Sequence, residues 1–146
     1  MKLRPEAPLP RRHAMQAMAL LCLASPLSRT KAQPAATVNL DTLQAALKNR
    51  SAVVFDIREP AEHATGVAAG ARLLPMSQID QRLAEIPKDQ PVLLVCNTQN
   101  RSTRVADALR QRGWSNVRAV QGGMSAWAQR GLPMVKPVAL PAPARP

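Results

Sequence analysis

The chain has 146 residues, with 20 Lys and Arg against 9 Asp and Glu, for a net charge of +11. That length points to one domain. Phe55, Trp114 and Trp127 are its only aromatic residues, too few for the stacking that a nucleic-acid binder uses, and the basic residues form no stripe.

The charge is uneven. Residues 1–32 hold six Lys/Arg and one acid, and the remainder is moderately basic, which suits an electropositive site for small anions. Arg11-Arg12-His13 precedes an apolar run, Ala14 to Ala24, broken only by Gln16. The run is too short to cross a bilayer and has the form of an export signal. Thr30 and Ala32 predict cleavage after Ala32, with a competing site after Ala24. The expectation is a signal peptide over 1–32, a linker over 33–37, and a mature protein in the bacterial periplasm with no membrane span. Cys22 leaves with the leader, so Cys96 is the one thiol of the expected mature chain and no intramolecular disulfide forms. In an oxidising compartment a lone thiol is a liability unless it is buried or used.

The expected domain runs over 38–135. Val38 begins a short strand, and Asp41 caps a helix with Leu43, Ala46 and Leu47 on one face. Ala52 to Ile57 is an apolar run ending in Asp56-Ile57-Arg58, as in a strand covered on both faces. Pro60 opens one short helical turn, and Gly66 and Gly70 mark a loop. Arg72-Leu73-Leu74 is a short strand stopped by Pro75. Ser77 caps a further helix with Ile79, Leu83 and Ile86 inward. Val92 to Val95 is the second fully apolar strand. A helix comes next, from Arg101 to Arg112, with Val105, Ala108 and Leu109 inward and Gly113 as its stop. Val117 to Val120 is the last strand. Gly122-Gly123 turns into a helix from Met124 to Arg130, and the tail over 136–146 is Pro-rich, extended and unpacked. Alternating strand and helix predicts an α/β fold, a mostly parallel central sheet of about five strands with helices on both faces.

In such sheets ligands bind beyond the carboxyl ends of the strands. Cys96 ends the most apolar strand, and Asn97, Thr98, Gln99 and Asn100 lead into a helix that opens on Arg101 and Ser102. Unpaired N–H groups at a helix start, the helix dipole and Arg101 all favour thiolate over thiol, and they form a cradle for a small anion. No Cys or His stands near Cys96 in sequence, so no metal or cofactor is expected.

Four segments in order resemble the rhodanese (sulfurtransferase) family. Val53-Val54-Phe55-Asp56-Ile57-Arg58-Glu59-Pro60 with Glu62-His63 is similar to its first signature. Gly66 to Ala71 is similar to its Gly-rich turn, and Cys96 to Ser102 to its Cys-x-x-Gly-x-Arg-Ser loop. Gln121-Gly122-Gly123-Met124 with Trp127 and Gly131-Leu132-Pro133 resembles the closing signature. The resemblance implies the three-layer rhodanese-like fold. It also implies a sulfurtransferase in which Cys96 takes the outer sulfur of a small anionic donor such as thiosulfate. The Cys96 persulfide then passes that sulfur to cyanide, a thiol or a protein acceptor.

On this resemblance Asn97 to Ser102 form the substrate loop, Asp56 and Arg58 support it, and Arg101 either binds the donor or pairs with a carboxylate. Glu59, Glu62 and His63 are expected to be surface or local pairing residues. The family has glycine where Gln99 stands. If that position takes positive φ, Gln99 carries about 1 kcal/mol of strain and activity is low.

Three alternatives stand beside this one. The first is a weakly active rhodanese-like partner module. The second is a cysteine phosphatase or arsenate reductase, which needs five residues between Cys and Arg where this chain has Asn97 to Asn100. The third is a redox relay that borrows a resolving thiol from another molecule.

Overall fold

The structure, a computed structural model, describes residues 37–137. The expected leader, residues 33–36 of the linker and the tail from residue 138 lie outside the described residues. In chain order the elements are β1 (Thr37–Val38), α1 (Leu40–Asn49), β2 (Val53–Asp56), α2 (Pro60–His63), β3 (Val67–Ala68), β4 (Arg72–Leu73), β5 (Val92–Val95), α3 (Asn100–Gln111), β6 (Val117–Val120), α4 (Gly123–Gln129) and β7 (Met134–Val135).

All four residues of β2 and of β5 are buried, as strands covered on both faces require. The two pair in parallel, from Val53 with Val92 to Asp56 with Val95. Five parallel strands in the order β1-β6-β5-β2-β4 make the sheet. Side chains alternate across a strand. Val92, Leu94 and Cys96 therefore share one core with Phe55, Ile57 and the α3 residues Ala106 and Leu109. Leu93 and Val95 face the other core, with Leu43 and Ala46 of α1 and Met124 and Trp127 of α4. The three-layer α/β architecture is as expected, and the strand period turns Cys96 toward α3.

Four local expectations are corrected. Asn39, not Asp41, caps α1: its Oδ1 accepts the Thr42 N–H at 2.9 Å. Asp41 instead meets Arg130 of α4 at 2.9 Å. The inward face of α3 is Ser102, Ala106 and Leu109 with Val105 packed at its edge, as expected for Val105 and Leu109, whereas Ala108 is exposed, because Ser102 docks against Cys96 and sets the rotation of the helix.

Ser77 caps no helix; residues 76–86 hold two single 3₁₀ turns, Met76–Gln78 and Leu83–Glu85. The Ser77 N–H and hydroxyl both donate to the Glu59 carboxylate, at 3.1 and 2.8 Å, which pins this segment to the start of α2. Finally, β6 is not the last strand: β7 pairs antiparallel with β3 in a separate two-stranded sheet, and β3 lies between the two loop glycines Gly66 and Gly70.

The end of β2 is tied down by charge. Asp56 is fully buried, and Arg58 is 3% exposed. Arg58 Nη2 donates to Asp56 Oδ2 at 2.7 Å, and its Nε lies 3.0 and 3.1 Å from the two carboxylate oxygens. The rest of the guanidinium donates to the carbonyls of Glu62 and Gly66, at 3.2 and 2.7 Å. One arginine thus joins β2, α2 and the approach to β3. Removing one partner of a buried pair leaves the other charge uncompensated. Asp56→Ala is expected to cost about 3–5 kcal/mol in urea unfolding. Asp41→Ala, which breaks the exposed contact with Arg130, should cost under about 1 kcal/mol.

Candidate active site

Cys96 comes directly after β5 and is 1% exposed, while Asn97, Thr98 and Asn100 above it are exposed. The first turn of α3 closes over the sulfur. The Ser102 N–H donates to Sγ at 3.4 Å, and the thiol donates to Ser102 Oγ at 3.5 Å. The Ser102 hydroxyl donates in turn to the Gln99 carbonyl at 3.0 Å. The N–H groups of Asn97 to Arg101 find no acceptor among the described residues, as a loop feeding a helix N-terminus leaves them. The helix dipole adds positive potential at the same end. Of these loop residues, Ser102 is the one the structure brings to the sulfur, while Asn97, Thr98 and Asn100 are exposed and Arg101 turns to Glu62.

Gln99 overturns the strain expectation. Its φ is −159°, outside the left-handed region that favours glycine, so the position does not call for glycine on that ground.

The loop is also held from the sheet's other side. Met124 N–H donates to the Cys96 carbonyl and Ser125 N–H to the Asn97 carbonyl, both at 2.8 Å. This approach requires glycine at position 123. A Cβ there would lie 2.3 Å from the carbonyl oxygens of both Cys96 and Thr98, and φ is +57°. Gly122 and Gly123 read as a turn in the sequence; their further role is to let a helix start rest on the backbone of the cysteine loop.

Arg101 does not stand free. Its Nη1 and Nη2 donate to Glu62 Oε2 and Oε1, at 2.7 and 2.5 Å. Glu62 Oε2 also accepts the Glu59 N–H at 3.0 Å. The Arg101 hydrogen bonds, helped by that N–H and opposed by partial burial, hold the Glu62 carboxyl down at about 2. Reciprocally, Glu62 raises the pKa of Arg101 above its ordinary value, and the fields of Cys96 and Glu59 act in the same direction.

Glu62 is therefore a site residue, where the sequence suggests only a surface or local pairing role. Its place in the first signature, together with an arginine that needs a counter-ion, is the signal that points to it. His63 is likewise buried, at 4% exposure, with Nε2 3.4 Å from Asp56 Oδ1. Asp56 and Arg58 do not touch the sulfur. They fix α2, and through it Glu62 and Arg101.

A family model for the rhodanese-like domain matches residues 39–130. The chain belongs to the rhodanese-like domain family. A sulfurtransferase of Allochromatium vinosum is 44% identical over 85 residues, which cover 58% of this chain and 79% of that protein. The thiosulfate sulfurtransferase GlpE of Pseudomonas entomophila is 37% identical over 82 residues, covering 56% and 75%. YqhL of Bacillus subtilis is 42% identical, and the match spans 62% of its length. Among solved structures, a rhodanese-like domain protein from Staphylococcus aureus is 30% identical with a TM-score of 0.60, covering 68% of this chain and 98% of that one.

Two measurements probe this geometry. Gly123→Ala should cost about 3 kcal/mol or more, since the added methyl meets two carbonyls and a positive φ. Gly131→Ala, at φ +65° with open space around it, should cost only about 1 kcal/mol. The second concerns pH. The folded pKa of Glu62 lies below its ordinary value of 4.5, so the pair stabilises above pH 4.5 and its contribution is lost as pH falls toward about 2. Glu62→Gln should be about 1 kcal/mol less stable than wild type at neutral pH, with the gap closing across that acid window in urea titrations.

Proposed function

We propose that this protein is a sulfurtransferase that carries a sulfane sulfur as a persulfide on Cys96. The reading rests above all on one observation: the Cys96 sulfur ends β5 beneath the first turn of α3, with the Ser102 N–H directed at it. Family membership and the sulfurtransferases among its relatives support the same reading.

In the first half-reaction the Cys96 thiolate attacks the outer sulfur of a donor such as thiosulfate. A new S–S bond forms, the donor's S–S bond breaks, and sulfite leaves with the electron pair. In the second, cyanide or a thiolate attacks the terminal sulfur of the persulfide. The Cys96 S–S bond breaks, the acceptor keeps the sulfur, and the thiolate is restored. The unpaired N–H groups from Asn97 to Arg101 would hold the negative charge of the terminal sulfur, as an oxyanion hole holds oxygen.

A four-residue gap between Cys96 and Arg101 favours this reading over a phosphatase, whose cradle is one residue longer. The signal-like leader supports action in the periplasm. With Gln99 outside the left-handed region, one of the two motives for a weakly active partner module falls away, the other being the Pro-rich tail.

The test is to incubate the mature protein with thiosulfate and weigh it intact. Wild type should gain one sulfur atom, and cyanide should remove it. Cys96→Ala should gain none; an adduct on that variant overturns the assignment, as does a wild type that takes sulfur neither from thiosulfate nor from an organic hydropersulfide.

A further inference from the structure

The chain is strongly basic, yet the arginine of its cysteine loop is paired rather than free. Arg58 is spent on Asp56 inside the fold. Both ends of the Arg101 fork are spent on Glu62. Arg104 is exposed, with its Nε 3.5 Å from the Asn100 carbonyl. Glu59 lies close enough to add to the field at Arg101. A donor arriving at the loop therefore meets backbone N–H groups and a helix start, with the loop's own arginine already neutralised.

Backbone dipoles suit a donor of low charge. A dianion gains less here than it would beside a free arginine, because the paired Arg101 offers no net charge to attract it. Glu62 is itself held in place by the Glu59 N–H, so the fork of Arg101 is fixed rather than loosely shared.

We propose that Glu62 is a specificity-determining residue: by occupying Arg101 from both ends, it biases the loop toward organic hydropersulfide donors and away from dianionic thiosulfate. This rests on the sulfurtransferase reading and deepens it. With a hydropersulfide R–S–S–H, the Cys96 thiolate attacks the outer sulfur. The Cys96 persulfide forms with that sulfur's proton, the donor's S–S bond breaks, and R–S⁻ leaves with the electron pair. No further oxidant or reductant is required.

The experiment measures the rate of sulfur loading on Cys96, by intact mass, from thiosulfate and from 2-hydroxyethyl hydropersulfide. The ratio of the two rates cancels any general loss of folded protein. Glu62→Gln frees the charge of Arg101 and should shift the ratio toward thiosulfate by about tenfold, the size of one unit charge acting over about 10 Å at a protein surface. Glu62→Asp, which keeps the charge, should stay near the wild-type ratio. Arg101→Gln leaves Glu62 uncompensated and should shift the ratio the opposite way, a second arm that stands if Glu62→Gln does not fold. Ratios unmoved in the folded variants would overturn the proposal and reduce Glu62 to a structural clamp, with the sulfurtransferase reading intact. Loading from neither donor in wild type would overturn both.

Discussion

Asp56 ends a strand whose four side chains are all buried, and an ionised carboxylate in that position needs partners close by. Arg58 supplies them two residues later, and the turn this forces directs the chain into α2. The guanidinium has donors left over, which reach the carbonyls of Glu62 and Gly66. Helix α2 is only four residues long and has no apolar face to hold it. Its position is set by that arginine and by the bonds of Glu59 to Ser77. The placement of Glu62, and hence the engagement of Arg101, depends on a charge buried one strand away from the cysteine.

A second clamp acts from the other side. The Cys96 and Asn97 carbonyls are taken by α4, and contact through Gly123 brings backbone against backbone. Among the described residues the N–H groups of Asn97 to Arg101 have no acceptor, while the first carbonyls of the loop are fixed. That division suits an anion site, because acceptors turned toward the anion would repel the charge that donors attract. The rigidity of the loop comes from β2 through α2 and from α4, with α3 bringing the Ser102 N–H to the sulfur.

Much of this architecture is legible in the sequence. Val53 to Phe55 and Val92 to Val95 are apolar for long enough to point to a parallel sheet, and Cys96 to Ser102 is one contiguous segment, legible as a unit. The features that escape depend on distance along the chain. Glu62 and Arg101 are 39 residues apart, and nothing in either neighbourhood names the other. Strands β3 and β7 have two residues each, too few to show a period of two. Ile79, Leu83 and Ile86 fit a helical spacing, but two 3₁₀ turns satisfy the same burial once Glu59 holds Ser77. Gln99 misleads in the opposite sense. A family glycine suggests a left-handed backbone, whereas this loop enters α3 at negative φ and accepts a side chain.

The resulting site separates two tasks that a loop arginine could combine. Pairing with Glu62 commits Arg101 to geometry, since a bidentate contact fixes the plane of the guanidinium and not merely its charge. Attraction of an anion is left to N–H dipoles, whose field falls off faster with distance than that of a net charge. Such a field discriminates weakly among distant anions and acts mainly on an atom already seated. On the proposed function, a terminal sulfur bonded to Cys96 is such an atom. The arrangement would then stabilise the sulfur once it is on Cys96 more than it recruits a charged donor from solution, and on the donor bias proposed for Glu62, donor choice would pass to the residues that decide how much of Arg101 remains unpaired.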